Sequence, residues 1–441
     1  MSLPTSTRSR KRWPLTLSFG LVVVGLGLLG LMLGWWFYDT DLRVRYRVDE
    51  FMGQVRDTIA PRPAVLPTAV PGAALPTIIF TSLPSLTSTL TPSPSPTSES
   101  SPTSGPTTTF THAPPTATPL PAQVTLTGIT HEYQKFNNCG PASLSMTMSF
   151  WGWDGDQLDI APLVKPNSYD RNVSPRELYE YLLTQGYDAY IRVNGDVDTL
   201  KRFVAAGYPV LMEKGYYCEK GERCSGWFGH YSVITGYDDA KQIFTTQDSF
   251  RGPNLKLTYD YIEENWRAFN HVYLIVFPAG AEQDAEVRAL LGEAADVDGM
   301  YRAALERAQG ETQSLTGEPA SFAWFNVGTN LVYFKDYAGA AQAYDRAREL
   351  GLPYRMLWYQ FGPYLSYYYT ARYQEVVDLA TFAIEGAIGE PGLEEAYYWR
   401  GLAKEALGQP DKAIDDYRTA LIRHPGYQPA IDALTALGQT P

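Results

Sequence analysis

The chain has 441 residues, enough for two or three domains, and 44% of them are hydrophobic, so most of it can fold around cores. Residues 123–441 carry 27 Lys and Arg against 42 Asp and Glu. A region this acidic repels phosphate backbones, which excludes nucleic acid as an expected partner. Three cysteines and five histidines exclude an iron–sulfur protein or an array of zinc fingers, and no cofactor is expected.

An apolar segment near the N-terminus predicts a transmembrane helix. Residues 15–38 contain no charged residue, and a helix of that length spans about 36 Å at about 1.5 Å per residue, enough to cross a bilayer. Four basic residues within 1–14 precede it, so the positive-inside rule places that tail in the cytoplasm and the rest of the chain outside the cell. A cleaved signal peptide is the alternative, but Gly34–Phe37 does not offer a small-residue cleavage site.

A juxtamembrane segment at residues 39–60 leads into a linker at residues 61–122. The linker holds 15 of the 32 prolines and is otherwise mostly Thr, Ser and Ala. It has too few large apolar side chains to offset the entropy lost on ordering, so we expect it to be disordered and partly extended by proline. Such a linker would hold a soluble module away from the membrane.

The next segment, residues 123–280, contains the first element with a chemical signature, a helix that begins at Cys139. Pro141 suits its first turn. A cysteine at a helix start lies at the positive end of the helix dipole, which favours the thiolate, although a lone cysteine in an apolar helix is usually a core residue. Gln134 can reach back beside the sulfur as an oxyanion donor. The buried face of the helix is predicted by apolar residues at helical spacing, namely Leu144, Met148 and Trp151.

Two predicted strands bring a histidine close to an aspartate. The Gly-His-Tyr sequence at His230 begins a strand that turns at residues 236–239, and residues 242–249 form a second strand of similar length. A hairpin between the strands places His230 near Asp248. A carboxylate there would orient the imidazole, which would then activate Cys139. The competing candidates for this carboxylate are Asp238 and Asp239.

Together these motifs resemble the C39-like peptidases, which are relatives of the papain fold. The resemblance covers residues 131–277 and rests on Cys-Gly-Pro-Ala at Cys139, Gly-His-Tyr at His230 and the order Gln, Cys, His, Asp. It implies an α+β domain with Cys139 as the nucleophile and His230 as the general base and acid. Asp248 would orient the histidine, and Gln134 would be the oxyanion donor. Because no transporter segments follow, the leader-peptide substrate of the best-known C39 domains is not carried over.

The remaining cysteines and histidines predict a disulfide and no metal site. Cys218 and Cys224 flank a polar loop, and outside the cell a disulfide between them is the expected state. No pair of histidines lies nearby to complete a metal site. The disulfide would leave Cys139 as the single free thiol and could position the aromatic residues after the loop at the cleft. Three further histidines lie in no motif and are expected to be structural or exposed: His112, His131 and His271.

Residues 320–441 repeat with a period near 34 and resemble tetratricopeptide repeats, after a helical connector at residues 281–319. Small residues would let paired helices approach, and aromatic residues would fill the space between layers. A middle copy starts at Trp358. We expect a concave surface for a peptide or protein partner, with a purely structural platform as the alternative. Four tyrosines are expected to line an exposed binding face, namely Tyr364, Tyr367, Tyr368 and Tyr369. The positions that recur in the first and last copies are Trp324, Gly328, Ala340, Tyr344, Ala347 and Tyr397, Gly401, Ala413, Tyr417, Ala420.

The predicted architecture is thus an α+β papain-like peptidase domain and an all-α tetratricopeptide solenoid, preceded by a transmembrane helix and a disordered linker. Two functions follow from different classes. The first is a membrane-anchored extracellular thiol peptidase that acts on a peptide or protein, with amide hydrolysis in cell walls or acyl transfer as variants of the same chemistry. The second is a catalytically silent papain-like fold that serves as a protein-binding or scaffold module.

Overall fold

A seven-stranded sheet and a stack of helix pairs make up the described part of the chain. The structure is a computed structural model, and it describes residues 27, 30–36, 65–69, 119–167, 170, 172–219, 222, 224, 226–387 and 392–441. The strands are β1 Gln123–Thr125, β2 Tyr187–Arg192, β3 Val210–Tyr217, β4 Trp227–Asp238, β5 Ile243–Asp248, β6 Gly252–Thr258 and β7 Tyr273–Pro278. They are ordered β2-β7-β3-β4-β5-β6, with β1 beside the end of β4, and every pairing is antiparallel.

Helices cover both faces of this sheet and create two cores. The helices of this part are α1 Cys139–Ser149, α2 Gln157–Val164, α3 Pro175–Thr184, α4 Val197–Ala205 and α5 Tyr259–Trp266. On one face, Leu144 of α1 and Leu178 of α3 pack against Val233 of β4. On the other, Phe203 of α4 and Ile262 of α5 form a second core with strand side chains. The predicted α+β architecture is confirmed.

Strand β4 is longer than the sequence predicted at both ends. It begins at Trp227, three residues before His230, and it continues to Asp238. The expected turn at residues 236–239 is wrong because the backbone of residues 236–238 pairs with β1 on one side and β5 on the other. The chain therefore turns after Asp238, and the long β4 supports both the site and the rest of the sheet.

The C-terminal part is a series of helix pairs with the predicted contacts between small and aromatic residues. Its helices are α6 Ala281–Leu291, α7 Val297–Ser314, α8 Gly317–Tyr333, α9 Tyr337–Glu349, α10 Gly362–Tyr369, α11 Tyr373–Gly386, α12 Glu394–Ala406, α13 Pro410–Arg423 and α14 Gln428–Ala436. A Cβ added at Gly328 would lie 2.6 Å from the ring of Tyr344, and one at Gly401 would lie 2.5 Å from the ring of Tyr417. Glycine is therefore required where the tyrosine of the partner helix crosses.

The middle pair differs from the prediction. Trp358 does not open a repeat helix, because it ends the 3-10 turn Tyr354–Trp358, and α10 begins only at Gly362. The expected row of exposed tyrosines is also wrong. Tyr364 and Tyr367 are fully buried in the core that the repeats share with the first domain, while Tyr369 is exposed. Their spacing places two of the four rings between helices rather than on a binding face.

The repeats pack directly against the sheet domain. The ring of Trp227, at the start of β4, stacks on Phe269 and on Phe322 of α8, with centroids 5.9 Å apart in each case. Arg355 donates a hydrogen bond to the Trp227 carbonyl at 3.1 Å. These contacts belong to one hydrophobic cluster that continues through the first two helix pairs. The beginning of the strand that carries His230 is therefore fixed by the repeats.

A short piece of the predicted linker also lies on the repeats. Leu66 is buried, and its N–H donates to the Leu352 carbonyl at 2.9 Å. Arg348 donates to the carbonyls of Pro67 at 2.8 Å and Thr68 at 3.1 Å. Disorder throughout residues 61–122 is therefore wrong for 65–69. It is also wrong for 121–122, whose carbonyls accept hydrogen bonds from the Tyr237 hydroxyl and the Asp239 N–H. The physical reason is that Leu66 provides the apolar side chain that the surrounding Pro and Thr lack. The rest of the linker lies outside the described residues.

The N-terminal predictions fall largely outside the described residues. Residues 30–36 are helical and exposed. Within the part of the chain that the structure describes, no helix is long and apolar enough to cross a bilayer. The other residues of the predicted segment 15–38, apart from Gly27, lie outside that part, as do the tail 1–14 and the segment 39–60.

Candidate active site

Cys139 lies at the first position of α1, where the sequence predicted a helix start. Helix α1 packs on one face of the sheet, against β4. The next residue must be small, because a Cβ at Gly140 would lie 3.3 Å from the Val173 side chain. Further along the helix, the hydroxyl of Ser143 donates to the Tyr231 carbonyl at 3.3 Å. The start of α1 is thereby held against the strand that carries His230, and Cys139 as a whole residue is half-buried.

His230 and Asp248 are brought together by the β4–β5 hairpin. The Nε2 atom of His230 lies 3.0 Å from Oδ1 of Asp248, and both side chains are buried. Asp248 is held in turn by the Ser232 hydroxyl, which donates to Oδ2 at 3.2 Å, and by the Arg251 backbone N–H, which donates to Oδ1 at 2.9 Å. The competing carboxylates lie elsewhere, since Asp238 pairs with Lys241 and Asp239 with Lys201.

The electrostatics of the site favour a thiolate next to an imidazolium. Burial alone would raise the pKa of the Cys139 thiol, but the hydrogen bond and charge of His230 outweigh it, so the pKa is lowered. Burial alone would lower the pKa of His230, but the charge and hydrogen bond of Asp248 outweigh it and raise that pKa to about 9. Burial would likewise raise the pKa of Asp248, yet His230 and Lys214 hold it well below its usual value. Asp248 therefore stays ionised and holds the imidazole.

Gln134 lies beside this group without touching the sulfur. Its backbone N–H donates to the Ser249 carbonyl at 2.8 Å, and its side-chain Oε1 accepts from the Ser249 hydroxyl at 2.9 Å. No hydrogen bond joins it to Cys139 in the described part of the chain. The Ser249 hydroxyl fixes the amide through Oε1, and the amide Nε2 is the only side-chain atom of Gln134 that can donate to a substrate oxygen.

A small pocket beside the sulfur contains residues that the sequence analysis missed. Burial, followed by the nearby charge of Cys139, raises the pKa of Glu213 well above its usual value, so its carboxyl is neutral. The pocket also includes Tyr359, which follows the turn Tyr354–Trp358 of the repeats. The only sequence signal for Glu213 was an acidic residue within an apolar strand. The lining residues are Asn137, Cys139, Gly140, Val173, Glu213, Gly229, Tyr231 and Tyr359.

The structure joins Cys218 and Cys224 in a disulfide, which leaves Cys139 as the free thiol. Glu222, inside this loop, accepts a hydrogen bond from the Tyr216 hydroxyl, and the ring of Tyr216 lies 5.9 Å from that of His230. The loop therefore contacts the site through β3. Trp227, the first aromatic residue after the loop, is buried against the repeats and does not line the pocket beside Cys139.

Of the three histidines without a motif, one lies close to the site. Burial lowers the pKa of His131, and the nearby Gln247 and Asp248 oppose this effect. His271 is buried at the junction with the repeats, where Arg307 donates to its Nε2 at 2.9 Å. His112 lies outside the described residues.

Comparison with known proteins identifies both parts of the chain. Residues 119–274 match the Peptidase_C39 like family, and residues 394–427 match the tetratricopeptide repeat. The chain carries a C39-like domain followed by tetratricopeptide repeats. The matched residues include α1, the Cys139 site and all of the sheet except the end of β7. Among curated proteins, no sequence matches the chain.

Solved structures resemble each part separately. A C39-like peptidase from Bacillus anthracis is 16% identical, covers 36% of this chain and 98% of its own, and has a TM-score of 0.28. Xylellain, a cysteine protease from Xylella fastidiosa, is 16% identical. The match covers 37% of this chain and 88% of xylellain, with a TM-score of 0.29. The OM64 tetratricopeptide domain of Arabidopsis is 23% identical. The match covers 27% of this chain and 95% of that domain, with a TM-score of 0.25.

Proposed function

We propose that the protein is a cysteine peptidase that cleaves a peptide or amide bond through an acyl-enzyme. The observation that carries this proposal is the contact of 3.0 Å between His230 Nε2 and Asp248 Oδ1, with the other side of the imidazole turned to the Cys139 thiol. A thiol that packs as an ordinary core residue needs neither a charged partner nor an ionised, buried carboxylate behind that partner. The arrangement instead matches what a thiol nucleophile requires.

The reaction follows from the charges at the site. The Cys139 thiolate attacks the substrate carbonyl carbon, and the amide Nε2 of Gln134 is proposed to stabilise the resulting oxyanion. The His230 imidazolium gives its proton to the departing amine as the carbon–nitrogen bond breaks, which leaves a thioester. His230 then takes a proton from water as the water attacks the thioester, and the acid product and the thiolate are released. Asp248 holds the ring in position throughout.

The repeats are proposed to contribute to substrate choice at close range. Tyr359 lines the pocket next to Cys139, so one wall of the cleft comes from the repeat part of the chain. The rest of the helix stack is proposed to bind a protein partner or a remote part of the substrate. A neutral Glu213 within the pocket favours an uncharged or hydrogen-bonding group over an acidic one.

Attachment to a membrane and an extracellular location are also proposed, and they rest on the sequence. The apolar run at residues 15–38 and the basic residues before it support a single-pass anchor with the C39-like domain outside the cell. The disulfide between Cys218 and Cys224 is consistent with an oxidising compartment.

The activity can be tested by incubating the purified full chain, in detergent, with a peptide library and following cleavage by mass spectrometry. We expect cleavage by the wild type and none above background by Cys139→Ala. Ser145→Ala, a buried change two turns into the same helix, serves as the matched control and should cleave normally. Cleavage that persists in Cys139→Ala would refute the nucleophile. A folded wild type that cleaves nothing and does not react with peptide electrophiles would favour a binding module.

A further inference from the structure

Outside the active site, three metal-binding side chains converge where the C39-like domain meets the last repeat. Asp170 lies in the loop between α2 and α3, Glu394 is the first residue of α12, and His424 follows α13. One ligand atom from each residue lies within 4.8 Å of the other two. The loop is fixed to the repeats here, because the backbone of Asp170 forms a β-bridge with Gly392.

Two of these side chains are buried with an unused oxygen. Asp170 is 2% exposed and Glu394 is 1% exposed. Oδ2 of Asp170 and Oε2 of Glu394 have no hydrogen-bond partner, and neither can reach bulk water. His424 contacts the group through Nδ1, which lies 2.7 Å from Oε1 of Glu394. A carboxylate oxygen that is both buried and unpaired is strongly destabilising, so each of these oxygens indicates a missing positive partner.

Among the described residues around this group, carboxyl groups outnumber cations. Two further carboxylates, Glu177 and Glu395, interact electrostatically with Asp170 and Glu394. Facing them are the His424 imidazole and the ammonium of Lys165, which donates to the backbone carbonyl of Asp170 at 3.5 Å. In the part of the chain that the structure describes, four carboxyl groups thus face one lysine and one histidine, and burial with this crowding raises the pKa of Asp170 well above its usual value.

We propose that Asp170, Glu394 and His424 bind a divalent ion of the first transition series, with Zn²⁺ as the candidate. Imidazole with carboxylates is a donor set that suits zinc and its neighbours, whereas calcium and magnesium prefer oxygen alone. On binding, Nδ1 of His424 turns its lone pair to the metal, and any proton on these groups is released. The ion would join the loop of the C39-like domain to the last repeat. The sequence predicted no metal site because its ligands lie far apart along the chain.

Isothermal titration of the full chain with ZnCl₂ tests this site, in a Cys139→Ala background that removes the only free thiol as a ligand. We expect one zinc ion per chain, bound at least tenfold more weakly after Asp170→Asn, Glu394→Gln or His424→Gln. Asp415→Asn, an exposed change in α13, should leave zinc binding unchanged. Unaltered zinc binding in all three ligand variants, or binding of calcium but not zinc, would overturn the proposal.

Thermal unfolding provides a second measurement, because it reports the stabilisation of the folded chain by zinc rather than the zinc affinity itself. Zinc at about 100 times its dissociation constant should raise the melting temperature of the Cys139→Ala chain by about 5 °C. All three ligand variants should show no rise. Asp170→Asn and Glu394→Gln should fold without zinc, because each replaces one of the crowded, buried carboxyl groups by a neutral amide. A rise of the same size in the variants would overturn the site. Diffraction data collected at the zinc absorption edge from crystals of the zinc-bound chain should show one anomalous peak between the three side chains. A peak elsewhere would contradict the assignment.

Discussion

At the scale of single residues, the site depends on the charge that Asp248 places behind His230. The carboxylate is fully buried and accepts hydrogen bonds from Ser232 and from two backbone N–H groups, so it is rigidly held. Because Nε2 of His230 faces Asp248, the other ring nitrogen is left for Cys139. Asp248 thus sets both the position and the protonation of the His230 imidazole.

Asp248→Asn tests this role. An amide in this position lacks the charge that raises the pKa of His230 and can hold the wrong tautomer of the ring, so kcat/KM should fall by about 100-fold or more. Asp239→Asn is the matched control, because Asp239 pairs with Lys201 away from the site, and it should change kcat/KM less than twofold. Initial rates on one cleaved peptide provide the comparison. An Asp248→Asn enzyme with normal kcat/KM would contradict the assigned role.

The pH dependence of the activity follows from the same pair. The rate requires the thiolate of Cys139 and the imidazolium of His230 together. It should therefore rise with pH through the lowered pKa of the thiol and fall through the raised pKa of His230, near pH 9. In Asp248→Asn the falling limb should move to lower pH, since the pKa of His230 loses its main cause of elevation. A rate that keeps rising above pH 10 in the wild type would contradict an imidazolium of this kind.

At the scale of elements, much of the site could be predicted because its residues lie in local patterns. A cysteine before a helix and a histidine and an aspartate on adjacent strands are set by helix and hairpin geometry. The roles of Glu213 and Tyr359 could not be predicted, because they depend on how β3 and the repeats pack around the sulfur. The ends of β4 were missed for a similar reason, since pairing with β3 lengthens the strand at its start and pairing with β1 and β5 lengthens it at its end.

Gly229, just before His230, shows how the repeats enter the site. A Cβ at this position would lie 2.7 Å from the Phe269 ring and 3.0 Å from the Tyr359 ring. Gly229→Ala should therefore displace the repeats and lower the free energy of unfolding by about 1–3 kcal/mol. Gly310→Ala is the control, because its Cβ meets nothing within 4 Å in an exposed part of α7, and it should stabilise by about 0.5–1 kcal/mol. Urea denaturation measures both, and equal stability of the two variants would contradict the close packing at Gly229.

At the scale of the whole molecule, the segment at residues 65–69 changes the expected geometry of the linker. The composition of residues 61–122 predicts that most of it has little to bury. It could not reveal that Leu66 joins the hydrophobic core of the repeats and bonds to the backbone of Leu352, because that core is formed by residues distant in the chain. With this segment on the repeats, the chain between residues 70 and 118 connects two points on the same body.

Leu66→Ala tests this attachment. The variant should lose about 2–4 kcal/mol of the free energy that holds the segment on the repeats, since a fully buried leucine is truncated. Limited proteolysis should then cut near residues 65–69 at least tenfold faster than in the wild type. Leu158→Ala, which truncates an exposed leucine, should leave the cleavage rate unchanged. Equal rates in Leu66→Ala and the wild type would show that the segment does not hold this position in solution.

The most direct test of the whole account is the ionisation of Cys139, the only free thiol among three cysteines. Thiolate absorbance near 240 nm, followed with pH and checked by the rate of iodoacetamide labelling, measures its pKa. We expect a midpoint below the ordinary thiol value of about 8.5, moving upward in His230→Ala. A midpoint at or above the ordinary value in the wild type, unchanged in His230→Ala, would contradict the account.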